Sequence, residues 1–124
     1  MKQNPVVLIV EDDQFNFDLL DVILMEINAK VLWGATAAEG LAIYTTEHVD
    51  IVLMDIKLPD MNGYELTKKF KAINENIPII AQTAYALTGD REKSIEAGCD
   101  DYITKPIRRA KIIKIIKHHL GISD

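Results

Sequence analysis

Residues 51–63 read Ile-Val-Leu-Met-Asp-Ile-Lys-Leu-Pro-Asp-Met-Asn-Gly, and this stretch decides the fold. It opens with four apolar residues and no polar interruption, the mark of a short strand covered on both faces. The run stops on a carboxylate, Asp55, then passes into Pro59, Asp60, Asn62 and Gly63, a cluster of turn formers. A covered strand that ends in an acid and a turn is the repeating unit of a parallel α/β sheet, which gathers its ligands at the carboxyl ends of its strands.

The same unit recurs on either side. Val6 to Val10 and Ile79 to Thr83 are similar runs, whereas Lys30 to Trp33 and Asp101 to Thr104 are shorter or more polar. The pattern predicts five strands, with the three most apolar in the middle. Helical spacing fills the gaps: Gln14 to Asn28 carries Leu20, Ile23, Leu24 and Ile27 on one face, and Thr36-Ala-Ala-Glu39 has the spacing of a capping box. A third helix follows Gly63, a fourth begins after Thr88, and a fifth buries Ile112, Ile113, Ile116 and Leu120. The fold expected is a doubly wound, flavodoxin-like (βα)5 domain with a five-stranded parallel sheet of order 2-1-3-4-5 and helices on both faces. At 124 residues the chain has the length of one such domain, residues 1–124, with no linker or repeat.

In that layout Glu11 and Asp12 follow the first strand, Asp55 ends the third, Thr83 ends the fourth and Lys105 follows the fifth. All converge on one crevice. Clustered carboxylates repel unless a cation lies among them, and oxygen donors without Cys or His favour a hard ion, Mg2+ or alternatively Mn2+. The alternative is that Asp12 or Asp13 merely caps the first helix. With the charge balanced, Asp55 can attack phosphorus while Lys105 and the Thr83 hydroxyl hold the phosphoryl oxygens. An aspartate is ionised at neutral pH, so no separate base is needed.

Other classes are set aside on charge and spacing. A net charge of -5 opposes general nucleic-acid affinity, although Lys105, Arg108, Arg109, Lys111, Lys114 and Lys117 form an acid-free basic stretch, which reads as a solvated face. No apolar run approaches the roughly 18 residues of a membrane span, and the N-terminus is not a secretory leader, so a cytoplasmic location is expected. Cys99, the lone cysteine, is expected to be a small buried hydrophobe. A haloacid-dehalogenase-type phosphohydrolase needs a second acid two residues after its nucleophile, where Lys57 stands; a flavin phosphate would be repelled by Glu11-Asp12-Asp13.

Val10-Glu11-Asp12-Asp13, the run from Met54 to Gly63, Thr83-Ala84 and Tyr102-Ile103-Thr104-Lys105-Pro106 occur in this order, and together they resemble the response-regulator receiver domain over the whole chain. The resemblance implies that Asp55 is phosphorylated by a histidine kinase or a histidine phosphotransfer protein. It implies Mg2+ bound by Asp12, Asp55 and the Lys57 backbone carbonyl, with Glu11 acting through water. It further implies a Thr83–Tyr102 switch and a cis Lys105–Pro106 peptide. Such a domain catalyses its own phosphorylation and slow dephosphorylation only, and Lys57 and Tyr85 are placed to shield the phosphoryl group from water.

The stretches 84–93 and 97–102 look like receivers attached to hybrid sensor kinases. Since the chain ends soon after the fifth helix, output is expected through protein contacts, by a monomer or a phosphorylation-dependent dimer. Phe15 and Val22, on the side of the first helix away from its core stripe, are expected to dock on a helical-bundle phosphotransfer partner. Ile115 reads as a surplus apolar residue for a second surface. Arg108 and Arg109 depart from the acidic or capping residues common after Lys-Pro-Ile in receivers, and two cations there oppose the helix dipole.

Overall fold

The computed structural model describes residues 4–84 and 90–122. Strands β1 (Val6–Val10), β2 (Lys30–Gly34), β3 (Ile51–Asp55), β4 (Ile79–Thr83) and β5 (Asp101–Thr104) alternate with helices α1 (Gln14–Leu24), α2 (Ala37–Thr46), α3 (Gly63–Ile73), α4 (Asp90–Ala97) and α5 (Arg109–Leu120). All strand pairs are parallel, in the order β2-β1-β3-β4-β5 expected from the apolar runs. Every residue of β3 and β4 is buried, as strands sandwiched between helical layers require.

Side chains alternate across the sheet and so divide the core in two. On one face Val7, Ile9, Leu53, Ile80 and Ile103 meet Leu20, Ile23 and Leu24 of α1 and Ile112, Ile113 and Ile116 of α5. On the other Leu8, Val10, Val52, Met54 and Ile79 meet Tyr44 of α2 and Leu66 and Phe70 of α3, where the rings of Tyr44 and Phe70 stack at 4.1 Å. Cys99 lies in this second cluster, and burial pushes its thiol up to about 11, against the Thr67 hydroxyl, which lowers it.

The helix ends follow their side chains. Asp13 caps α1 by accepting from Asn16 N at 3.1 Å, and Asn62 caps α3 by accepting from Tyr64 N at 2.7 Å. At α2 the Thr36 hydroxyl accepts from Glu39 N, while Glu39 reaches back to Ala35 N, one residue before the position a capping box predicts. The first helix is shorter than its apolar spacing suggests. It tightens into a 3-10 turn at Met25–Ile27 and closes on Asn28 with φ 54°, a left-handed conformation that Asn tolerates. Arg108 precedes α5 without a side-chain cap, while Gly121 at φ 67° ends that helix. Thr88, expected to open the fourth helix, and Tyr85 lie outside the described residues.

Candidate functional site

The central strands all point their carboxyl ends at one edge of the sheet, and the loops there carry the polar residues. Glu11, directly after β1, is wholly buried; Asp55, the last residue of β3, is 5% exposed; Asp12 faces solvent. Carboxylate oxygens of Glu11, Asp12 and Asp55 lie within 4.8 Å of one another. They line a cleft of about 190 Å3 together with Thr83, at the end of β4, and Lys105, beyond β5. The Lys105 ammonium sits 3.1 Å from Glu11 Oε1 and 3.5 Å from Asp55 Oδ1. The Lys105–Pro106 peptide is cis.

The electrostatics of this cluster are unbalanced. Burial, then the charge of Asp55, pushes the Glu11 carboxyl up to about 7. At Lys105 burial works against the charged form, but the Asp55 and Glu11 carboxylates outweigh it and hold the ammonium above its ordinary value. One ammonium lies among three carboxylates. Glu11 Oε1, although near that ammonium, makes no hydrogen bond of acceptable geometry. A buried carboxylate oxygen without a hydrogen bond, in a cleft shared with two further carboxylates, suits a hard divalent cation, so the residues present fit Mg2+.

Backbone contacts fix where the acids point. Glu11 Oε2 accepts from Asp13 N at 3.2 Å, and Asp55 Oδ1 accepts from Lys57 N at 3.3 Å. Gly63 N donates to Ile56 O at 2.8 Å, and a Cβ on Gly63 would lie 2.2 Å from the carbonyl oxygen of Asp55. Only glycine lets α3 start this close to the end of β3.

Two supporting residues carry no local signal in the sequence. Asp60 accepts from Ala37 N at 2.8 Å and Ala38 N at 3.0 Å, which ties the loop after Asp55 to the start of α2. The N–H of Ala37, then that of Ala38, holds the Asp60 carboxyl below its usual range. Trp33 donates its indole N–H to Glu11 O at 2.7 Å while stacking on Phe17 of α1 at 4.1 Å. The loop that carries the acids is thereby anchored to both β2 and α1.

Tyr102 pairs in register with Ala81, two residues before Thr83, and packs against the second core cluster that also holds Ala81. Alternation puts Thr83 on that same face. On α1, Phe15 is 74% and Val22 64% exposed, and Met25, in the 3-10 turn that follows, extends their stripe at 66%. Ile115 differs from expectation. It is partly buried against the cluster beneath α1 and α5, so its own fold already supplies its packing partners.

The response regulator receiver domain family matches the chain over residues 7–117. Polar-differentiation response regulator DivK of Brucella ovis is 38% identical over 117 residues, which cover 93% of this chain and 95% of that protein. A CheY-like response regulator receiver domain protein from Methanospirillum hungatei JF-1 superposes with a TM-score of 0.90 at 37% identity, covering 96% of this chain and 95% of the other. The receiver domain of a sensor histidine kinase from Pseudomonas aeruginosa PAO1 superposes with a TM-score of 0.88 at 33% identity, over 96% and 99% of the two chains; its structure holds a magnesium ion coordinated in the active site cleft.

Proposed function

The chain belongs to the response regulator receiver domain family, and from that membership we propose that Asp55 is its phosphoacceptor, loaded from a phosphohistidine donor. The observation that carries this is the Lys105 ammonium within 3.5 Å of both Asp55 and Glu11, with three carboxylates sharing one cleft. An Asp55 carboxylate oxygen attacks the phosphorus, a P–O bond forms as the P–N bond of phosphohistidine breaks, and the departing electron pair stays on the imidazole nitrogen. Lys105 holds a phosphoryl oxygen, and the Thr83 hydroxyl, on the wall of the same cleft, holds another. Glu11, Asp12, Asp55 and the backbone carbonyl of Lys57 would hold Mg2+, which when bound supplies the positive charge that lets an anionic nucleophile approach an anionic phosphoryl group.

Once Asp55 is a dianionic acyl phosphate, the Thr83 hydroxyl is drawn toward it and the Tyr102 ring moves into the space beside Ala81. A charge added at the cleft thereby reshapes the face around β4 and β5, where a downstream protein reads it, or the phosphoryl group passes onward in a relay. The exposed stripe of Phe15, Val22 and Met25 starts next to the acidic loop, and this is the surface we assign to the helical phosphodonor partner.

Treatment with a small-molecule phosphodonor and Mg2+, followed by mass spectrometry, tests the assignment. The expected result is one added phosphoryl group on the natural chain and none on Asp55→Asn. Equal labelling of the two proteins, or none of either, would sink the proposal.

A further inference from the structure

Among the described residues, every buried side-chain nitrogen or oxygen without a hydrogen bond belongs to Glu11 (Oε1) or Gln82 (Nε2 and Oε1). These two residues flank Asp55. Gln82 is wholly buried and is the register partner of Asp55 across β3 and β4, and of Ile103 across β4 and β5. Ile80 and Ile103 lie in the core cluster beneath α1 and α5, so alternation puts Gln82 on that face too. Lys105 leaves the end of β5 two residues beyond Ile103, and its ammonium finishes at Asp55 and Glu11, beyond β3. Its stem therefore passes over the carboxyl end of β4, the strand that carries Gln82.

An unpaired buried carboxamide is a cost that Leu or Met of similar size would not incur in a core cluster whose buried members are isoleucines, leucines and Val7. Its chemistry suits a task beside Lys105. An ammonium has three N–H groups and needs more than one acceptor to fix its direction. A further carboxylate would add negative charge to a cluster that already has too much, whereas a neutral amide oxygen orients the ammonium without cancelling its charge.

We propose that Gln82 is a positioning residue for Lys105: its carboxamide oxygen accepts from Lys105 Nζ when Glu11 and Asp55 are occupied with a cation and a phosphoryl group and no longer hold the ammonium. This rests on the acyl-phosphate assignment of Asp55. Gln82 touches neither the phosphoryl group nor the cation; it acts by keeping the lysine aimed.

The test compares the natural chain with Gln82→Leu and the near-isosteric Gln82→Met in three thermal melts: without additions, with MgCl2, and with MgCl2 plus beryllofluoride as a mimic of the acyl phosphate. Without additions both variants are expected to melt at or above the natural chain. With beryllofluoride their rise in Tm should fall short of the natural chain's by about 4 °C, the size of effect one hydrogen bond produces in a domain of this length. The rate of phosphorylation by a small phosphodonor should drop about fivefold, while the Mg2+ midpoint stays unchanged. An equal beryllofluoride response and an equal rate in variants and natural chain would overturn the proposal. So would variants that melt far lower without additions, because the amide would then already be paired. No response to beryllofluoride in the natural chain itself would remove the acyl-phosphate assignment and this proposal with it.

Discussion

Gly63 shows how narrowly a single position is constrained at the site. Its missing side chain is the reason α3 can begin against the carbonyl of Asp55, where a Cβ would meet backbone at 2.2 Å and 2.8 Å. Backbone cannot step aside as a flexible side chain can, so Gly63→Ala forces the end of β3 and the start of α3 apart. The expected loss is about 2 kcal/mol of stability in urea denaturation, within the range for overpacking, with weaker Mg2+ binding because Asp55 is displaced. An alanine variant of natural stability and natural Mg2+ affinity would contradict this. The residues that line the cleft were legible in the sequence. Glu11, Asp12, Asp55, Thr83 and Lys105 each stand where an apolar run ends, and strand ends of a doubly wound sheet share an edge. Trp33 and Asp60 were not legible as supports of the site, because their roles depend on neighbours brought near only by folding, such as Ala37, which lies 23 positions before Asp60.

Between elements, the carboxylate of Asp60 does the work of a helix cap supplied from afar. Together with Thr36 it satisfies the N–H groups of Ala37, Ala38 and Glu39, so the first turn of α2 is held partly by the loop that leaves β3. Its folded-state carboxyl lies below the ordinary value of 3.8, so the native protein binds this proton less readily than the unfolded chain does. The contribution is therefore fully present above pH 3.8 and is lost as the pH falls through the lower folded value. Asp60→Ala should accordingly be less stable than the natural chain at neutral pH, with the difference closing in melts taken below pH 3.8. A difference that stays constant into acid would show that Asp60 acts through packing instead. Element sequence and strand order were readable from the apolar runs and the helical spacing between them, and the cap of α2 from Thr36 and Glu39. The early end of α1 was not, because Ile27 continues the apolar spacing while Asn28, through its backbone conformation, stops the helix.

Across the whole molecule, the two helical layers divide the labour. The layer of α1 and α5 covers the face that carries Leu53 and Ile103, and α1 with the 3-10 turn after it presents Phe15, Val22 and Met25 to solvent, Phe15 only two residues after Asp13. If that stripe seats the phosphodonor, Phe15→Ala should slow transfer from a phosphorylated histidine phosphotransfer partner roughly tenfold, the cost of about one lost apolar anchor, while loading from a small-molecule donor stays as it was. Equal slowing with both donors would place the defect in the chemistry and not in docking. The parallel topology carries one further consequence. Glu11, Asp55, Thr83 and Lys105 come from strand ends and loops spread over most of the polypeptide, and no local segment holds more than a fragment of the set. A nascent or partly melted chain therefore lacks the assembled cleft, and whatever the cleft does waits on the completed fold.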